Sequence, residues 1–166
     1  MPKHFAATVS LALSASLLAP FAATAQGLPT AEYLPLALAQ KAADAAMQKC
    51  QADGHKVSVA VVARDGSTIT FIKMDGAGPH TVGSSTGKAF TSASLGQPTG
   101  NMAKAIAEKP ELAGLRNMDP RMVILEGGLP IKIGGKLVGG IGVGGAPGGN
   151  LDAVCAQTGL AAIGGQ

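Results

Sequence analysis

The stretch Gly127-Gly128-Leu129-Pro130-Ile131-Lys132-Ile133-Gly134-Gly135-Lys136-Leu137-Val138-Gly139-Gly140-Ile141-Gly142-Val143-Gly144-Gly145 decides the fold. Its two apolar runs are separated by Gly134-Gly135, the kind of two-residue connection that closes a tight antiparallel hairpin. A further apolar run begins at Met122, so three strands are expected: one from residue 122, one over 129–133 and one over 136–143. Upstream, a β-branched run over 57–62 breaks at Asp65-Gly66 and resumes through Ile69, Phe71 and Ile72 to Met74, which reads as a second hairpin.

Helical patterns fill the rest. Residues 34–51 place Leu38, Ala42, Ala45, Ala46 and Met47 on one face. Residues 80–95 turn Val82, Ala89, Phe90 and Ala93 toward a core, Thr99 can cap a short helix through Glu108, and 112–115 adds a turn. Asn150 or Asp152 opens a last helix to Ala162. The order helix, two strands, helices, three strands, helix predicts an α+β domain, with helices packed on an antiparallel five-stranded sheet.

At 166 residues, with 46% hydrophobic, 3% aromatic and 14% charged, the chain is one small domain and neither a coiled coil nor a polytopic membrane protein. Its start reads as a secretory signal peptide over residues 1–25: Lys3 and His4, an apolar stretch over 5–19, Pro20, then Ala23-Thr24-Ala25 before the cut. The mature domain is then 26–166, in the periplasm or secreted, with no membrane span after cleavage. It carries 12 basic and 10 acidic residues, too even a balance for a nucleic-acid footprint. Only Tyr33, Phe71 and Phe90 remain as aromatic core candidates, and so thin a core predicts a homo-oligomer.

Export permits a disulfide between Cys50 and Cys155, near the end of the first helix and the start of the last. The bridge requires those helices to lie antiparallel and side by side; two buried free thiols are the alternative.

Several motif matches fail on context. Gly140, Gly142 and Gly145 satisfy G-x-G-x-x-G, but Pro147 and more glycines follow where a helix should receive a pyrophosphate. These glycines instead serve close approach of backbone to the strand. Gly83-Ser84-Ser85-Thr86-Gly87 fits an esterase elbow and Ser85 to Lys88 a β-lactamase pattern, but no histidine follows His80 and the partner motifs are missing. Covalent haem attachment lacks its C-x-x-C-H. Met118 and Met122 read as core rather than copper ligands.

Val57-Ser58-Val59-Ala60-Val61-Val62, Lys73-Met74-Asp75-Gly76-Ala77, Lys88-Ala89-Phe90-Thr91, Gly127-Gly128-Leu129-Pro130-Ile131 and 138–145, taken in order, resemble one family. The chain is similar, over about residues 30 to 163, to the GlcG/HbpS-type haem-binding proteins, also found as the C-terminal domain of PduO-type corrinoid adenosyltransferases. The resemblance implies a profilin-like antiparallel sheet with helices on it, higher oligomers and a haem or related tetrapyrrole as partner and cofactor.

Candidate ligand-holding residues follow from both readings. On the second helix His80, Ser84, Lys88 and Thr91 form one polar stripe. His80 is the expected metal ligand, with Thr91 as the hydroxyl alternative the resemblance allows and Lys88 on a propionate. Met74 and Asp75 are expected in the pocket wall, and His55 is the reserve ligand. The leading expectation is an exported, non-covalent haem-binding protein. The alternatives are a haem-degrading enzyme or one acting on a small organic acid or corrinoid, with Asp75, Glu126 and Lys88 as the available acid and base groups, and a ligand-free assembly module.

Overall fold

In the computed structural model of the chain, Met1, residues 27–28 and residues 30–166 are described. Apart from Met1, the expected signal peptide lies outside the described residues. Ala31–Gln166 forms one unit, built as α1 (Leu36–Ala52), β1 (Ser58–Ala63), β2 (Thr68–Lys73), α2 (His80–Leu95), α3 (Thr99–Glu108), a 3-10 segment (Pro110–Asn117), β3 (Gly128–Ile133), β4 (Lys136–Gly144) and α4 (Gly149–Ala162). Among the described residues, no helix is long and apolar enough to cross a membrane.

The sheet has four strands in the order β2-β1-β4-β3, every neighbouring pair antiparallel. Both expected hairpins form. Gly134 and Gly135 both sit at positive φ (56° and 79°), as the favoured two-residue turn requires, and Asp65 closes the other by accepting from the Ser67 N–H at 2.9 Å.

The fifth strand, expected from Met122, does not form. Side chains from neighbouring elements satisfy that segment's backbone in place of a ladder. Val123 N–H donates to Thr91 Oγ1 at 2.9 Å, Arg116 Nη1 donates to Ile124 O at 3.1 Å and Thr99 Oγ1 donates to Leu125 O at 2.6 Å. Ile124 packs with Met102 and Ile106 of α3 rather than on the sheet. Thr99, expected as a helix cap, makes no capping bond; its buried hydroxyl also accepts the Gly128 N–H.

Helices cover both sheet faces. On one, Val57, Val59, Val61, Ile141 and Val143 pack against Ala39, Ala42, Ala43 and Ala46 of α1 and Ala156 and Leu160 of α4. The α1 and α4 backbones approach so closely that a Cβ at Gly159 would lie 3.1 Å from Ala46 Cβ. At that seam Cys50 and Cys155 are bonded, with Cα atoms 5.5 Å apart. On the other face α2 lies directly on β4. Cβ atoms at Gly140 and Gly142 would strike the Ala89 and Ser85 carbonyls, so the G-x-G-x-x-G glycines do serve close backbone approach.

The aromatic residues depart from expectation. Phe90 is buried, but Tyr33 is 79% and Phe71 37% exposed. Alanine and glycine let the helices sit close enough to the sheet for Val, Ile and Ala to fill the interior. Val82, expected in the core, is also exposed, because α2 turns Ser85, Ala89 and Ser92 toward the sheet glycines.

Candidate functional site

The expected site residues divide between two clefts. The first, about 320 Å³, lies between the start of α2, Leu125-Glu126 and the glycine-rich loop before α4, and gathers His80, Ser84 and Lys88. His80 opens α2 in an exposed position, its ring over Gly78. Lys88, two turns on, is buried; its Nζ donates to Asp152 Oδ2 at 2.7 Å and to Val143 O at 2.9 Å. Asp152 Oδ1 accepts the Ala146 N–H at 3.0 Å, so this carboxylate ties the loop to both α2 and α4. Gly127 makes room for the pair: its φ is +119°, and a Cβ there would lie 2.9 Å from Lys88 Nζ. A lysine has three N–H donors, so one remains for a ligand in the cleft. Glu126 and Asp152 nevertheless outnumber Lys88 in charge.

Thr91 is not in this cleft. It is fully buried, and its hydroxyl donates to Gly87 O at 2.7 Å while accepting the Val123 N–H.

The second cleft, about 500 Å³, lies at the end of α1 beside the last residues of β2. It gathers Met74 and Asp75 with the reserve ligand His55, and adds Met47, Lys56, Ile72 and Lys73. The β1–β2 register creates it: Ser58 pairs with Lys73 and Met74 N–H donates to Val57 O at 3.0 Å, so the turn after α1 sits beside the end of β2. His55 is half-buried, its backbone N–H donating to Cys50 O at 2.9 Å. The disulfide therefore anchors the residue from which this turn hangs. Met74 Sδ accepts the Val57 N–H at 3.5 Å. Two lysines against one aspartate leave this cleft positive.

Lys56, Lys73 and Met47 escaped the sequence reading as ligand residues, although Lys56 follows His55 and Lys73 precedes Met74; pairing the two hairpin strands residue by residue would have joined them. Asp152 was read only as a helix opener. A third hollow, about 450 Å³, is lined by Phe90, Gly83, Gly87 and Arg121. Arg121 stacks on Phe90 at 4.0 Å and is clamped by Asp119, whose carboxyl its hydrogen bonds hold down to about 2. Among the described residues no three His, Cys, Asp or Glu side chains gather as metal ligands.

Comparison with known proteins gives a consistent answer. The HbpS of Streptomyces reticuli, solved as a double mutant, shares 42% identity with a TM-score of 0.77, over 88% of this chain and 97% of that one. PduOC, solved as a complex with haem, shares 25% identity with a TM-score of 0.75, over 81% and 98%. A 15.0 kDa protein encoded between dhaT and dhaS in Citrobacter freundii is 34% identical over 113 residues, 68% of this chain and 80% of that protein. The family described as "Haem degrading protein HbpS-like" matches residues 34–161, and the chain belongs to this HbpS-like, GlcG/HbpS-type family.

Proposed function

We propose that this protein is exported and binds haem non-covalently as a homo-oligomer, with the His55 cleft as the haem seat. The observation that carries the reading is the convergence, in a member of this family, of an imidazole, two thioethers and two lysines on one cleft. A haem is a flat apolar disc with two carboxylates, and its iron takes histidine or methionine as axial ligand. His55 offers the nitrogen, Met47, Ile72 and Met74 the apolar wall, and Lys56 and Lys73 the charges for propionates. The His80 cleft offers an imidazole too, but its lysine is neutralised by the Asp152 carboxylate and Glu126 adds a further negative charge, whereas Lys73 Nζ in the His55 cleft donates to the uncharged Ala77 O. The haem supplies an iron centre for ligand or electron exchange; the protein supplies orientation and shielding from water.

Export is supported by the signal-peptide pattern of residues 1–25 and by the Cys50–Cys155 bridge, a bond that persists in oxidising compartments. N-terminal sequencing of the mature protein is expected to begin at Gln26; an intact Met1 start on protein recovered outside the cytoplasm would remove the cleavage site.

Titration of the chain from Gln26 with hemin is expected to give a saturable Soret shift that His55→Ala weakens and His80→Ala leaves in place. The reverse pattern moves the seat to the His80 cleft, and no saturable shift ends the haem reading. Haem degradation is the second reading, favoured by the description of the family. Loss of the Soret band that persists with catalase present, together with a defined tetrapyrrole product, identifies it.

A further inference from the structure

We propose that the outer edge of β2, over residues 70–74, pairs with the same edge of a second copy of this chain about a two-fold axis at Ile72. The inference deepens the homo-oligomer part of the reading above and does not depend on haem.

The two edges of the sheet are built differently. On β3, Pro130 has no N–H to offer, and Lys132 exchanges hydrogen bonds with Gln166, N–H to carbonyl at 3.0 Å in both directions. That edge is closed. β2 carries no proline, and among the described residues no strand lies on its outer side. The register fixes which groups point out. Met74 N–H donates to Val57 O, and Val59 and Val61 face Ile72 and Thr70, so Thr70, Ile72 and Met74 turn their backbone groups toward β1. Phe71 and Lys73 therefore turn theirs outward. The irregularity in this pairing lies between Val61 and Val62, toward the Thr68 end, and leaves residues 70–74 regular.

A two-fold axis at Ile72 makes this edge self-complementary. Phe71 exchanges N–H and C=O with Lys73 of the second copy, and the reciprocal exchange follows by symmetry. Ile72 meets its own counterpart, and the Phe71 ring lies across the Lys73 stem of the other copy, so no like charges stand opposed. An axis at Phe71 would instead set Lys73 against Ile69, in the irregular stretch. The pairing covers Phe71, the aromatic that the core leaves 37% exposed. Because Ile72, Lys73 and Met74 also line the His55 cleft, it sets the two clefts side by side, with Thr70 of one copy beside Met74 of the other.

Two variants test the edge in the chain from Gln26. Ile72→Cys is expected to form a covalent dimer under mild oxidation, since directly opposed residues of such a pair lie about 4.5 Å apart at Cα, within disulfide reach; Gln157→Cys, exposed on α4, serves as control. Phe71→Pro removes an outward N–H and no bond to β1, and is expected to halve the mass by light scattering with unchanged circular dichroism. Cross-linking of Ile72→Cys no faster than the control overturns the proposal, and so does a folded Phe71→Pro of unchanged mass. If Phe71→Pro does not fold, the cysteine variant decides alone. Cross-linking of Ile72→Cys, together with no hemin titration of the unsubstituted chain, leaves the edge standing and ends the haem reading.

Discussion

Lys88 Nζ on α2 lies 2.7 Å from Asp152 Oδ2 on α4, and both side chains are 4% exposed. The pair joins the layers on opposite faces of the sheet, passing beside β4 where Val143 O takes a second Lys88 proton. Removing either partner strands the other charge in a dry site. Lys88→Met or Asp152→Asn is expected to cost about 3–5 kcal/mol in urea unfolding, whereas Lys88→Met with Asp152→Leu recovers much of that loss. Single variants within about 1 kcal/mol of the parent would mean that water reaches the pair.

The Cys50–Cys155 bond closes a loop of 105 residues across the α1–α4 seam. Reduction, or Cys50→Ala with Cys155→Ala, is expected to lower stability by about 2–4 kcal/mol. Thiol labelling of the unreduced, denatured chain is expected to find no free thiol; two labels per chain would remove the bridge.

Two glycines on facing elements predict opposite signs. Gly142→Ala drives a Cβ into Ser85 O, where the neighbour is backbone of a packed helix, and is expected to cost about 3 kcal/mol or more. Gly83, inside α2, has nothing within 4 Å of a built Cβ, so Gly83→Ala is expected to gain about 0.5–1 kcal/mol through helix propensity alone. Thermal midpoints of the two variants check both signs; a loss at Gly83 would show that the open side of α2 is occupied.

Asp119 accepts from the Arg121 side chain at 2.9 and 2.7 Å and from its backbone N–H at 2.9 Å, which lowers its carboxyl from 3.8 to about 2. A depressed carboxyl pKa stabilises the folded state in full above the unfolded value, and the contribution disappears as pH falls through about 2. NMR titration is expected to place Asp119 near that value, and Arg121→Ala to return it toward 3.8. A midpoint near 3.8 in the parent protein would dissolve the clamp.

The sequence by itself determined the elements whose causes are local. Gly134-Gly135 and Asp65-Gly66 specify turns within a few residues, helix periodicity marks α1 and α2, and glycines on β4 announce a backbone lying against it. Tertiary structure decided everything that depended on which segments meet. The run from Met122 has strand composition, yet Thr91, Thr99 and Arg116 satisfy its backbone from three other elements, leaving a four-stranded sheet. Lys88 and Asp152 stand 64 residues apart in the chain, and a lysine expected on a propionate becomes half of a buried pair once α4 is docked. The polar stripe of α2 was legible as a stripe, but burial of Thr91 and exposure of Val82 depend on how that helix rolls onto Gly140 and Gly142. His55 and Met74 become neighbours only through the β1–β2 register. Propensity acts over a turn of chain, whereas register and docking are set by burial and backbone pairing between distant segments, and no single segment carries that information.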